Sequence, residues 1–332
     1  MISTLNAFYC SSDFYTPFTG VSVCSLLENN KHIEKINVFL SPQGISPQNI
    51  DNMRKLVEKE YGRKLVLIDS TSLDDELNEM GLPKWHGSYS TYYKMFITQL
   101  ITEPLESVVF IDGDTIITGS FEELINMDMG EFPIGMVRDI INNLVDRSSL
   151  NIPKQQQYYM GGLCFYNLKK WSEMDCEGKI KKHLLEKRKN YKMADQDILN
   201  VVLGSNVFPL PLKYNVENNP RFYSPAQIYK IFEQNEQTYY GPKEIEEAVN
   251  GGAIMNHCLG GMCKRPWEEG NHHPLDKLYH FYLQKTPWAN MKDIPSKTPV
   301  YNKVQWILYK TLPRAVYIPI MRASLKKFLK GV

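Results

Sequence analysis

Asp112 and Asp114 stand in the segment SVVFIDGDTIITG, residues 107–119, as two carboxylates separated by a single glycine. The run Val108, Val109, Phe110 and Ile111 before them is short and of buried type, which predicts a strand delivering both acids to its end. Side chains at i and i+2 of an extended backbone point the same way, so both acids can face one divalent cation. Gly113 between them has no side chain to block a bulky anion such as a diphosphate. Asp-Gly is also a common turn pair, so the acids alone leave both readings open. Cys258 and Cys263, with His257, His272 and His273 nearby, raise a zinc site as an alternative, but there is no CxxC pair.

The elements that must position these acids alternate along the chain. Residues 5–10, 36–40 and 65–68 read as short apolar strands, with helices over 18–27, 47–61 and 89–100. Such alternation predicts an α/β fold with a parallel, right-handed, Rossmann-like sheet, whose ligands lie beyond the carboxyl ends of its strands. Past the acids the order loosens into strands over 133–137, 162–166 and 253–257 and helices over 179–189 and 196–203, so the second half is expected to be mixed. Residues 214–250, rich in Asn, Pro, Tyr and Gln, predict long surface loops shaping a pocket. The expected division is one catalytic domain over 1–285 and a basic helical tail over 286–332.

With 332 residues, 43% apolar and 23% charged, the chain is long enough for one large folded domain of ordinary composition. A net charge of +1 removes any whole-protein electrostatic case for nucleic acid. The charge is uneven, however. After Asp293 no acid occurs, while Lys297, Lys303, Lys310, Arg314, Arg322, Lys326, Lys327 and Lys330 do. Ile318, Met321, Leu325, Phe328 and Leu329 fall at helical spacing after Pro319, a good first-turn residue. This basic amphipathic helix is expected to lie on an anionic membrane surface, although the same pattern also suits packing on the protein's own body. The start MISTLNAFYC lacks the pattern of a secretory signal and six scattered cysteines read as free thiols. The expectation is a cytoplasmic protein, peripheral on the inner face of the cell membrane.

Around the DGD motif lie, in order, SSDFYTPFTGVSVCSLLENN, then YYMGGLCFYNLKKW and ADQDILN, then HCLGGMCKRPW. Together these segments resemble the retaining glycosyltransferases of family 8, of the lipopolysaccharide galactosyl- and glucosyltransferase type, which have the GT-A fold. The resemblance runs over residues 7–267. It implies that Asp112, Asp114 and His257 hold a manganese or magnesium ion, which binds the diphosphate of a UDP-sugar donor. Asp13 and Tyr15 align with the acidic and aromatic residues that hold the nucleoside, while Ser12 and Phe14 depart from the family pattern. His86 falls at a pocket histidine. Lys94 stands where an Arg is usual and keeps its charge without the bidentate fork.

The same resemblance places Asp195 on donor-sugar hydroxyls and Gln196 near the face of the anomeric carbon opposite the leaving group. Asp195 also suits an N-cap. Asp139, in VRDI, is implied near the donor or acceptor sugar, and Gly113, Gly162 and Gly260 complete the implied donor-binding set. Lys264 or Arg265, before Pro266 and Trp267, would contact the diphosphate; this loop is two residues longer than usual, which leaves the choice between them open. Met160 and Gly161 replace a more usual Asn-Ala and imply an altered sugar preference.

The implied reaction moves a hexosyl group, galactose or glucose, from a UDP-sugar to a hydroxyl of a glycan or glycolipid with retention of configuration. No strong general base stands opposite the sugar in these motifs and Gln196 is a poor nucleophile, which suits a front-face route. Two other readings compete. Haloacid-dehalogenase-like phosphohydrolases also place an aspartate pair after an apolar strand, but typically continue with Gly-Thr after the second Asp, where Thr115 stands here. A sugar-nucleotide binder without turnover would keep the fold, with Lys94 and Met160 as the substitutions that suggest it.

Overall fold

Strand β1, Thr4–Ser12, sends Leu5, Ala7 and Tyr9 into one core and Phe8 into another, because side chains of an extended chain alternate between faces. A strand apolar on both faces must be covered on both, and it lies centrally in the sheet. The computed structural model describes residues 4–85, 87–187, 191–296 and 299–330. The other strands are β2 Lys35–Gln43, β3 Lys64–Leu67, β4 Ser107–Ile111, β5 Thr115–Ile117, β6 Ile134–Arg138, β7 Tyr159–Asn167, β8 Val207–Leu210 and β9 Met255–His257. They form a sheet of order β3-β2-β1-β4-β7-β6-β8 and a separate ribbon β5-β9.

Strands β3, β2, β1 and β4 are mutually parallel; β7 runs antiparallel between β4 and β6, and β8 is parallel to β6. The expected α/β GT-A architecture with a mixed second half is what the chain adopts. The chain leaves β1 toward β2 on one side and returns to β4 on the other, so a topological switch point lies between the carboxyl ends of β1 and β4. Both DGD acids follow β4 there. Helix Thr16–Asn29, with proline in its first turn, buries most of its length against one face of the sheet.

Some elements differ from the sequence reading. Residues 89–100 form a 3-10 turn, Ser90–Met95, and a one-turn helix, Ile97–Leu100, because Tyr92 and Tyr93 donate hydroxyls to Pro83 and Asp74 and draw the backbone off a regular helix. The stretch expected as loops contains helices Asn219–Phe222, Pro225–Phe232 and Pro242–Glu247. The second of these starts on a full capping box, Ser224 with Gln227, and Pro225 in its first turn.

The tail forms helices Val300–Thr311 and Arg314–Lys330. Pro319 lies inside the second helix, which starts just after Pro313, so it is not the first-turn residue expected. Most of the expected apolar stripe turns toward the body: Met321 and Leu329 are buried, Ile318 and Leu325 pack against the core, and only Phe328 points out. Tyr317 is fully buried and shares a 2.7 Å hydroxyl contact with Tyr223, while Arg322 and Lys326 pair with Glu233. Packing also continues through residues just past 285, where the Trp288 ring leaves no room for a Cβ at Gly20 and its Nε1 donates to Asn49.

Candidate active site

The backbone ladder itself assembles the site. Asp112 N donates to Gly162 O at 3.0 Å, which continues the β4–β7 pairing one step past Ile111 and Leu163. Strand β5 follows Asp114 directly and pairs antiparallel with β9, so Thr115 lies opposite His257. Cys258 N donates to Asp114 O and His257 N donates to Val216 O, fixing the far end of the chain on the motif. The ligand atoms of Asp112, Asp114 and His257 come within 4.8 Å of one another, a group of three able to hold a metal. His257 Nε2 is 3.0 Å from Asp114 Oδ1 and 3.9 Å from Asp112 Oδ2, and its Nδ1 is 3.2 Å from Asn215 Oδ1. An imidazole held from behind in this way presents its other nitrogen in a fixed direction.

Glycines make this closeness possible. A Cβ on Gly162 would lie 2.4 Å from His257 Cε1. One on Gly113 would lie 2.3 Å from Thr19 Oγ1, so Gly113 answers to packing on the helix Thr16–Asn29, and the room it leaves for an anion is not what its contacts show.

Burial works against ionisation of both acids. At Asp114 the charges of His257 and Arg265 overcome burial and hold the carboxyl far below the usual range; Arg265 Nη1 bonds its Oδ2 directly. At Asp112 burial wins over Lys94 and His257 and the carboxyl sits above its ordinary value. Asp114 is therefore the stronger anion of the pair.

The sugar-side residues are tied to the same strand end. Asn200 Nδ2 donates to Tyr159 O at 2.8 Å and its Oδ1 accepts from Tyr159 N at 2.7 Å, which clamps helix Ala194–Leu203 onto β7. One turn earlier Gln196 accepts from Gly161 N at 3.1 Å and donates to Asp139 Oδ2 at 2.7 Å. Asp139 is buried, which raises its carboxyl, and its Oδ1 accepts from Ile141 N. Asp195 accepts from Thr91 Oγ1 at 3.0 Å and pairs with Lys94 Nζ at 2.7 Å, so it ties into the neighbouring strand end and makes no side-chain cap on its own helix.

Other predicted residues fall less uniformly. Asp13 is exposed at the end of β1, and its Oδ1 accepts from Ser46 N and Asn49 Nδ2, both at 2.8 Å, which lowers its carboxyl. Tyr15 is half-buried in an aromatic group with Phe14 and Phe18, and Phe18 stacks on Trp267 at 4.4 Å. Arg265 comes to the acids, whereas Lys264 turns away to donate to Glu269 O at 2.6 Å. Gly260 lies beside the Arg265 stem. His86 lies outside the described residues. Asn215 and Thr91 carry no chemical signal in sequence and were not anticipated; only the fold brings them to His257 and Asp195. No zinc group joins Cys258 and Cys263 among the described residues.

This arrangement sets a two-carboxylate, one-imidazole group able to hold a metal at the switch point of an α/β sheet, where such folds bind their ligands, with polar side chains beside it. The family model described as glycosyl transferase family 8 matches residues 6–267, and the chain belongs to that family. Among similar proteins, a lipopolysaccharide 1,2-glucosyltransferase of Escherichia coli (strain K12) is 25% identical over 86% of this chain and 79% of its own length. General stress protein A of Bacillus subtilis (strain 168) is 23% identical over 84% of this chain and 93% of its length. Among solved structures, the bifunctional glycosyltransferase WbbM in its apo form has TM-score 0.70 at 21% identity, covering 87% of this chain and 51% of WbbM, about half that protein's length. Galactosyltransferase LgtC, in complex with donor and acceptor sugar analogs, has TM-score 0.67 at 17% identity, covering 90% of this chain and 99% of LgtC. At these identities the two structures establish the shared fold. The chain is a glycosyltransferase.

Proposed function

We propose that this glycosyltransferase moves glucose or galactose from a UDP-sugar to a hydroxyl of a glycan or glycolipid, with retention and with Mn2+ or Mg2+ as cofactor. The observation that carries the reading is the convergence of Asp112, Asp114 and His257 beside Asp195 and Gln196 in a family 8 chain. Similarity to the lipopolysaccharide 1,2-glucosyltransferase and to a lipopolysaccharide 1,3-galactosyltransferase of Salmonella typhimurium supports a hexose and a lipid-linked acceptor.

The donor set, two hard carboxylate oxygens and one imidazole nitrogen, fits manganese, and the Cβ-free edge of Gly162 gives the imidazole its place. When bound, the cation would neutralise charge on the departing diphosphate. Arg265, already at Asp114, adds a second positive group at that end. Asp195, whose oxygens already accept from Lys94 and Thr91, has further lone pairs to offer sugar hydroxyls. Gln196 is oriented by its bonds to Gly161 N and Asp139, and a neutral amide is a poor nucleophile toward an anomeric carbon. That supports a front-face route, with the acceptor proton passing to the leaving phosphate oxygen.

The reading extends to the tail, which would lie on an anionic membrane surface at the cytoplasmic side. Among the described residues no helix is long and apolar enough to cross a membrane. Val300, Val304 and Ile307, at i, i+4 and i+7, remain 73%, 46% and 57% exposed on the outer side of the tail, with Val316, Ile320 and Phe328 also out. Exposed Lys303, Lys310 and Lys327 accompany them, and the sequence holds no acid after Asp293.

The test of the donor reading is UDP release with Mn2+ across a panel of UDP-sugars. UDP-glucose or UDP-galactose should yield UDP, including slow hydrolysis without acceptor, and Asp114→Asn should abolish it while the protein stays folded. UDP binding without release from any sugar would leave only the binder, and phosphate release from small phosphomonoesters without UDP would favour the phosphohydrolase.

A further inference from the structure

We infer that Lys94 is a positioning residue: its ammonium group, saturated by three protein acceptors, locks the sugar-side acid Asp195 against the metal-side acid Asp112 and makes no contact with the donor's phosphates. The inference rests on the donor reading above. Lys94 is 4% exposed, so its charge is tolerated only because partners surround it. An ammonium group has three N–H donors. Here Asp195 Oδ2 lies at 2.7 Å, Gly161 O at 2.9 Å and Asp112 Oδ1 at 3.3 Å. The Phe110 ring lies 4.3 Å away and covers the group from another side. A phosphate oxygen would have to displace one of these acceptors.

The surroundings are built to this tie. A Cβ at Gly161 would press to 3.1 Å of Asp195 Oδ2 and 3.7 Å of Lys94 Nζ, so glycine leaves the ion pair its space. Asp195 is held at both oxygens, by Lys94 on one and by Thr91 on the other. Asp112 gives Oδ1 to Lys94, while its Oδ2 lies on the side of His257. One cation thus sets the spacing of two carboxylates that would otherwise repel, and each carboxylate faces a different part of the donor.

The experiment separates nucleotide binding from sugar turnover. Calorimetry with UDP and Mn2+ on the double variant Lys94→Met/Asp195→Asn, which keeps the net charge of the site, should give affinity within about threefold of wild type, since UDP carries no sugar for Asp195 to hold. Turnover of UDP-glucose or UDP-galactose by Lys94→Met should fall by about a hundredfold or more in kcat, a split that simple loss of stability does not produce. Lys94→Arg should recover part of the rate, because it keeps the charge but not the three-acceptor fit. A loss of UDP affinity beyond about tenfold in the double variant would mean a direct phosphate contact and overturn the inference; unchanged kcat in Lys94→Met would overturn it equally. If Lys94→Met does not fold, Lys94→Arg carries the kcat measurement, with a rate below wild type expected. Wild-type protein that binds no UDP would defeat the donor reading itself, and the Lys94 inference with it. Wild-type binding lost in the double variant defeats only the latter.

Discussion

Gly162→Ala tests the metal centre without touching a ligand. The added Cβ would sit 2.4 Å from His257 Cε1, 2.6 Å from Nδ1 and 3.1 Å from Asn215 Nδ2. Ordinary carbon contacts lie at about 3.5–4 Å, so the imidazole must retreat by roughly 1 Å. Its retreat is opposed, because Asn215 Oδ1 already stands 3.2 Å behind Nδ1. Metal–ligand distances tolerate only about 0.2 Å, so a shift of this size removes much of the imidazole's contribution and should weaken binding about 10–100-fold. Overpacking costs about 1–3 kcal/mol, which in a chain of this size lowers the melting temperature by a few degrees only. Mn2+ binding followed by loss of the free-ion electron paramagnetic resonance signal measures the first effect, and a thermal melt the second. Gly161→Ala is the control: its nearest contacts are Asp195 and Gln196, so it should spare metal affinity. Wild-type Mn2+ affinity in a folded Gly162→Ala protein would refute the assignment of His257 as a ligand.

Glu217 gives a pH signature. It is 6% exposed, its Oε1 lacks a hydrogen-bond partner among the described residues, and burial, with Asp139 adding to it, pushes its carboxyl up to about 8. The folded chain therefore holds a proton that the unfolded chain, titrating near about 4.3, has released, and stability falls as pH rises between those values, by at most on the order of 5 kcal/mol. Glu217→Gln should melt higher than wild type at pH 8 and converge with it near pH 4.5; a gap independent of pH would contradict the shift. For the tail, Val304→Glu/Ile307→Glu should abolish co-sedimentation with phosphatidylglycerol vesicles while leaving UDP release from soluble donor intact, and unchanged sedimentation would remove the membrane proposal.

The first half of the fold was legible because each strand there is a short apolar run bounded by a helix. Residues 5–10, 36–40 and 65–67 proved to be strand, Ile68 falling one residue past β3, and 18–27 lies within the helix Thr16–Asn29. The acids of the DGD motif and the distant His257 were also legible, but only through the combination of segments, since nothing local in AIMNH says that β9 will pair with β5. Short β8, whose sequence is VFPL, and three-residue β5 give no periodicity to detect. The helices of 214–250 were hidden by Asn, Pro and Tyr, although the capping signal at Ser224 was present in the letters SPAQ. The choice of Arg265 over Lys264 depended on loop geometry, with Gly261 at φ +117°, and no spacing rule supplies that. In the tail the sequence left membrane surface and protein body both open, for a different reason. Its helix is amphipathic twice over, and which face meets the body follows from Tyr223 and Glu233, residues nearly a hundred positions away.

Charge explains why the cation is expected to be required for the nucleotide and not only for chemistry. Around the trio stand three carboxylates, Asp112, Asp114 and Asp195, against two resident cations, Lys94 and Arg265. With the imidazole neutral, as ligation requires, the group carries a residual negative charge and opposes a diphosphate. A dication reverses the sign. At about 5 Å and an effective dielectric near 20, one unit of charge against another is worth on the order of 3 kcal/mol. UDP affinity should therefore fall by at least about a hundredfold when the divalent ion is removed by chelator, and calorimetry in the presence and absence of Mn2+ reads this directly. Equal affinity under both conditions would mean that Arg265 and the loop bind the diphosphate alone, and that the acid pair serves the fold instead of the donor.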